Sequence, residues 1–193
     1  LMRLAPVPIR WHRDVREAAE RAGKSSRTTH PASRPVDACR VYAAMTAALI
    51  QGDSPEDVLT ADFWHFGPLD PRVEAVARGS WRAKLPPEIR GTGYVGAALE
   101  AALGAVAGAT DFRDAVLRAA NLGDDADTTA AIAGQLAGAR WGYSGIPAAW
   151  RGAPAVELIR CSRWCKPVRA RRRPSPPGQL RQHGGRRSVR NRG

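Results

Sequence analysis

The sequence predicts an all-α fold of packed antiparallel helices. Three observations point there. Apolar residues recur at helical spacing in segments that open on a capping residue and close on glycine. Several of these segments are rich in Ala and Gly, which lets helices approach closely. No run shows the alternation of period two that a half-buried strand needs.

The elements follow in order. In "RPVDACRVYAAMTAALIQG" (34–52), Val36, Cys39, Val41, Ala43, Ala44, Ala47, Ala48 and Ile50 make a buried helix, and Gly52 is its stop. "SPEDVLTADFW" (54–64) opens with a serine cap, a proline in the first turn and two acids facing the helix dipole. "DPRVEAVARGSW" (70–81) repeats the pattern with Asp70 and Pro71. "GYVGAALEAALGAVAGA" (93–109) is a small-residue helix. "DFRDAVLRAANLG" (111–123) has Asp111 as cap, Asp114 at the capping-box position and Gly123 as stop. An apolar helix then runs from about 128 to Gly142.

Charge divides the chain into a domain over 1–160 and a tail over 161–193. All 18 acidic residues lie in 1–160 with 19 of the 30 Lys and Arg, so the body is near neutral and the net charge of +12 belongs to the tail. The tail is rich in Arg, Pro, Gly and Ser and has too little apolar surface to offset ordering entropy, so it is expected to be disordered. Its basic residues would hold nucleic acid only non-specifically, with steep salt dependence. "CSRWC" (161–165) is at most half a zinc site, with His183 the one histidine near it in sequence. The 3 cysteines form no disulfide framework, and a reducing, cytoplasmic setting is the default. No stretch approaches the roughly 20 apolar residues of a membrane span. No signal peptide is visible. The chain opens on Leu1, with Met2 a possible start, which suggests a fragment or an interrupted reading frame.

The chemistry concentrates in "NLGDDADTTAAIAGQLAGARWG" (121–142), where Asp124, Asp125 and Asp127 fall within four positions. One aspartate there is adequately explained as a helix cap. Three leave negative charge unexplained. Asp125, Asp127 and Thr128, at i, i+2 and i+3, can converge two carboxylates and a hydroxyl on one point. Such hard oxygen donors suit Mg²⁺ or Mn²⁺ better than Zn²⁺, and the spacing excludes a helix–loop–helix Ca²⁺ loop.

This segment, extended through Ile146, Pro147 and Trp150, resembles the C-terminal signature of the ADP-ribosylglycohydrolases of the dinitrogenase-reductase-activating type. The Gly-Asp-Asp-Ala-Asp-Thr turn and the spacing of Gly134 and Gly138 carry the likeness. "GTGYVGAALEAAL" (91–103), "TTHPASRPVDACRVYAAMTAALI" (28–50) and "LMRLAPVPI" (1–9) resemble other family segments in the family's order. The resemblance covers about 1–160. It implies metal-dependent hydrolysis of the glycosidic bond between ADP-ribose and a protein or small-molecule acceptor. It also implies a binuclear Mg²⁺ or Mn²⁺ site with Asp125, Asp127 and Thr128 as ligands. Asp124 would take a supporting or capping role. His30, Gly93 and Tyr94 match residues that line the ADP-ribose cleft, although His30 alone reads equally as a solvent-facing loop histidine and Tyr94 as a core aromatic.

Two family motifs have no counterpart in 1–193: a Gly-Asp-x-x-Gly segment with a catalytic acid, and the Thr-Asp-Asp that completes the metal site. The catalytic acid is therefore unknown. The chain is expected to hold half the metal site, to expose apolar helix faces, to be poorly soluble and to hydrolyse weakly or not at all. Two alternatives stand beside the enzyme: a non-catalytic module that binds ADP-ribose, and nucleic-acid binding through the tail.

Overall fold

Two helices precede the first one that the periodicity predicts: α1 (Pro6–Trp11) and α2 (Val15–Arg27). Asp14 caps α2, its carboxylate accepting from the Glu17 N–H at 3.0 Å. The buried face of α2 is Ala18, Ala19, Ala22, Gly23 and Ser26. It holds no large apolar side chain, so its helical period is invisible to a search for Leu, Ile and Val. The Asp-x-x-Glu pair at 14–17 was the available signal. The computed structural model describes residues 1–152. The expectations for the basic tail, the zinc half-site and nucleic-acid binding lie outside those residues.

The next helix is α3 (Ser33–Gln51), closed by Gly52 in the left-handed conformation at φ 97°. It is buried on nearly every side and packs against α1, α2 and the later helices α5 (Pro71–Ala77), α6 (Val95–Ala107) and α8 (Ala126–Gly145). That explains why its sequence is apolar almost all round. Helices α2 and α3 form an antiparallel pair. Gly23, near the end of α2, faces Val36 and Arg40, near the start of α3.

The segment predicted as a helix over 54–64 is shorter in the structure. The Ser54 cap and Pro55 start α4 (Pro55–Val58), but the backbone leaves helical geometry at Leu59. The chain then crosses to α3, where Arg40 donates to the Phe66 and Pro68 carbonyls. Tertiary contacts here override a good start signal. Helix α5 begins on its Asp70 cap and stops before Gly79 (φ 94°), and a 3-10 turn follows at Ser80–Ala83. Helix α7 (Phe112–Ala120) is capped by Asp111. Asp114 turns its own carboxylate back to the Thr110 N–H, one residue before the capping-box position. Helices α7 and α8 are also antiparallel, with Phe112 beside Gly145 and Val116 beside Gly134. The backbone of α8 breaks at Gly142 (φ 69°), where the sequence suggested its end. A short α9 (Ala148–Arg151) follows.

Tyr42, Met45, Leu99, Leu103, Ile132 and Leu136 form the fully buried centre between α3, α6 and α8. Among the described residues there is no strand, and no helix is long and apolar enough to cross a membrane. The all-α expectation holds.

Candidate functional site

The aspartate turn folds as it does because its backbone passes through the left-handed region twice, at Gly123 (φ 74°) and Asp124 (φ 51°). Asp124 is the one non-glycine residue among those described with a positive φ. Aspartate tolerates this conformation better than most residues, and glycine better still. The turn is fastened by the Asp125 N–H, which donates to the Gly91 carbonyl at 2.7 Å. Thr129, fully buried, donates its hydroxyl to the Asp125 carbonyl at 3.0 Å.

Glycines let the 91–94 loop lie against this turn. A Cβ on Gly91 would stand 2.6 Å from Thr129 Oγ1, and one on Gly93 would stand 3.2 Å from Asp125 Oδ2. Gly93 thus lies directly against the Asp125 carboxylate.

Asp125 occupies the N-cap position of α8 but its side chain caps nothing. The simplest structural role for this aspartate, a helix cap, is therefore not the one it plays. Its carboxylate lines a cleft of about 480 Å³ instead. The same cleft is lined by Thr128, Gly93, Tyr94 and His30. Five of the seven residues singled out in the sequence thus converge on one cavity from three separate stretches of chain, around His30, at 93–94 and at the 125–128 turn, and the amino-terminal residues Met2 and Arg3 add to its lining.

The other two lie apart. Asp124 turns outward and pairs with Arg90, its carboxylate accepting at 3.0 and 3.2 Å. Asp127, in the first turn of α8, is exposed and outside the cleft lining. Among the described residues no hydrogen-bond donor occupies the carboxylate of Asp125 or of Asp127, and the Thr128 hydroxyl meets only the Met2 sulfur at 3.8 Å. These are unclaimed hard oxygen donors, as a divalent cation requires. They form a partial shell only. No group of three or more His, Cys, Asp and Glu side chains gathers among the described residues.

His30 stands in the loop between α2 and α3, its ring Nδ1 3.0 Å from Thr29 Oγ1. The loop is pinned because the His30 N–H donates to the Ser26 carbonyl at 2.8 Å. Tyr94 is 43% exposed. It is a cleft wall rather than the core aromatic that its helix context allowed.

Sequence reasoning passed over Arg3, Ser26, Thr29 and Cys39, which also line the cleft. Arg3 donates to Thr29 Oγ1 at 3.2 Å across 26 residues, a pairing that no local pattern signals. It likewise passed over Arg34, which donates to Asp70 at 3.0 Å. Partial burial pushes the Asp70 carboxyl up. The hydrogen bond from Arg34, the Arg72 and Val73 N–H groups and the guanidinium charge outweigh that and hold it below the ordinary carboxylate range.

Comparison with known proteins shows the family of the chain. The model of the ADP-ribosylglycohydrolase family matches residues 1–165. An ADP-ribosylarginine hydrolase, Tri1, of Serratia proteamaculans (strain 568) is 39% identical over 150 residues, covering 78% of this chain and 40% of that protein. Its counterpart in Pseudomonas putida (strain GB-1) is 39% identical over the same shares of the two chains. An ADP-ribosyl-dinitrogen reductase glycohydrolase of Rhodospirillum rubrum is 49% identical over 39 residues, 20% of this chain and 13% of that one. A solved structure titled an ADP-ribosylglycohydrolase-related protein complex superposes with a TM-score of 0.68 at 35% identity, covering 74% of this chain and 50% of that one. The chain spans about two fifths of the length of the Tri1 hydrolases it matches.

Proposed function

The chain belongs to the ADP-ribosylglycohydrolase family, and from that premise we propose that its cleft receives ADP-ribose attached to an acceptor, the arginine side chain of a protein foremost. The reaction would be hydrolysis of the N-glycosidic bond between the ribose and the guanidinium. The observation that carries this reading is the convergence of His30, Gly93, Tyr94, Asp125 and Thr128 on one cavity. The names of the Tri1 relatives support the arginine linkage.

Within that reading the residues divide the work by chemistry. Gly93, without a side chain, lets a ligand come close to the loop backbone and to Asp125. Tyr94 supplies an aromatic wall. His30, with Thr29 and Arg3 beside it, offers donors to the oxygens of a diphosphate. Asp125 lines the same cavity, so one carboxylate and the Arg3 guanidinium share it with the hydroxyls of Thr29 and Thr128.

The donor set fits Mg²⁺ or Mn²⁺. Asp125 and Thr128, which line the cleft, would hold the ion, with Asp127 reaching it from outside the lining and water, substrate or further carboxylates completing the shell. Bound there, the metal would supply positive charge to the ribose hydroxyls and to an attacking water. Asp124, paired with Arg90, holds the backbone of the turn instead of touching the ion. We place the reaction in a reducing, cytoplasmic setting, consistent with the free, buried Cys39 thiol.

A second reading, an ADP-ribose-binding module without turnover, is favoured by one observation: Asp125 is the only carboxylate lining the cleft among the described residues. One experiment separates the two. ADP-ribose with Mg²⁺ is titrated calorimetrically into the protein, and release of ADP-ribose from an ADP-ribosylated arginine peptide is followed in parallel. Binding with release supports the hydrolase, binding alone supports the module, and the absence of both overturns the reading of the cleft.

A further inference from the structure

Tyr94 is held from behind. Arg34, in the first turn of α3, donates through Nε to Asp70 Oδ1 at 3.0 Å and through Nη1 to the Tyr94 hydroxyl. Asp70 is itself fixed. It caps α5 by accepting from the Arg72 N–H at 3.1 Å, and its own N–H donates to Asp37 Oδ2 at 2.8 Å. Asp37 in turn accepts from Arg40 at 2.9 Å. A chain of charge-assisted bonds therefore runs from α3 through the start of α5 to the rim of the cleft. The Asp70 side chain is only 11% exposed, so its bond to Arg34 is screened less than a surface pair.

The geometry distinguishes a tether from a stack. The guanidinium carbon lies 5.4 Å from the Tyr94 ring centre while one of its nitrogens meets the hydroxyl. The cation therefore lies beyond the hydroxyl end of the ring, not over its face, and leaves the face open. Gly96 seats the ring from below, since a Cβ there would be 3.4 Å from Tyr94 Cε1. Apart from Arg34, no described residue bonds the Tyr94 side chain.

We propose that Arg34 is a positioning residue of the cleft: locked by Asp70, it holds the Tyr94 phenol in the rotamer that walls the cavity. This rests on the reading that the cavity takes ADP-ribose. Arg34 does not line the cavity. It acts through Tyr94, and a lysine could not replace it, because one ammonium lacks the planar fork that reaches both partners.

The test uses the full chain carrying 3-fluorotyrosine, whose 3 tyrosines give three fluorine resonances. Arg34→Ala should move and narrow the Tyr94 resonance while Tyr42 and Tyr143 stay in place. Asp70→Asn, which keeps a helix-capping oxygen but loses the charge, should move the same line by less. A Tyr94 line unchanged in Arg34→Ala overturns the proposal. Should the buried Tyr42 line move as well, the alanine variant has lost core packing, and Asp70→Asn decides by the same criterion. The second arm measures ADP-ribose affinity. Arg34→Ala should weaken it about tenfold, but less than about twofold when Tyr94 is already alanine. Equal losses in both backgrounds overturn the positioning role. A wild-type chain that binds no ADP-ribose overturns the reading of the cleft, and the fluorine spectrum alone then judges the hold of Arg34 on Tyr94.

Discussion

The hydroxyl of Tyr42 accepts a hydrogen bond from the Leu136 N–H at 3.1 Å, in the middle of α8, and donates its own proton to the Ile132 carbonyl. Ile132 and Leu136 are the two ends of one helical i to i+4 step. A side chain of α3 has thus entered the hydrogen-bond ladder of the helix that carries the aspartate turn. Burial pushes the pKa of this phenol far above its ordinary value, partly offset by the Leu136 N–H, so it stays a neutral donor. The contact locks α8 to the central helix one turn beyond Thr128.

Removing that hydroxyl has a bounded cost. In Tyr42→Phe the Ile132 carbonyl and Leu136 N–H can bond to each other, so the loss should be about 1 kcal/mol. Tyr42→Ala also opens a cavity in the core and should cost about 3–5 kcal/mol. Urea unfolding of both variants checks this. A phenylalanine variant as unstable as the alanine one would show that the hydroxyl, and not the ring, carries the contact.

The two loop glycines should behave differently. Gly91 is buried, and a Cβ there meets the buried Thr129. Gly91→Ala should therefore destabilise the fold by about 1–3 kcal/mol. Gly93 is exposed, and a Cβ there meets only the Asp125 carboxylate. Gly93→Ala should keep the melting temperature and weaken ADP-ribose binding. Paired calorimetric melts and ligand titrations distinguish the two effects, and a stability loss at Gly93 equal to that at Gly91 would contradict the placement.

Acid should weaken the fold partly through Asp70. Its carboxyl is held below the ordinary range in the native state, so its contribution is complete above the unfolded value of about 3.9. That contribution is lost as pH falls through the lower native value. Asp114, held down chiefly by Arg118 and the Thr110 N–H, adds in the same direction. The difference in urea midpoint between wild type and Asp70→Asn should be largest at neutral pH and shrink between about pH 4 and pH 2. A difference that grows on acidification would have the wrong sign.

Asp124 should tolerate glycine. The exchange removes an exposed pair with Arg90, which typically contributes under about 1 kcal/mol, and relieves a left-handed conformation that costs an aspartate a similar amount. Unfolding curves of Asp124→Gly and wild type should differ by less than about 1 kcal/mol.

Much of this was legible in the chain itself. Helix starts at Ser54, Asp70 and Asp111 and the stop at Gly52 follow from caps and glycines alone. The acidic turn announces itself because three aspartates exceed what a cap needs. Helix α2 was hidden because alanines bury its face, and a small face has no large residues to count. The early end of α4 was hidden because Arg40, distant in sequence, gathers the following loop. The roles of Arg3 and Arg34 were hidden for the same reason, since each finds its partner more than twenty residues away. Three aspartates within four positions also gave no hint that one would face the cleft while Asp124 turned toward Arg90. That split comes from the two left-handed residues at 123 and 124.

The central claim is that Asp125 is spared from capping so that it can serve the cleft. Calorimetric titration of ADP-ribose with Mg²⁺ into wild type and Asp125→Asn tests it most directly. The account predicts saturable one-to-one binding by wild type and an affinity at least about tenfold weaker in the variant, with the melting temperature of the variant unchanged. Equal binding by the two proteins, or none by wild type, would contradict it.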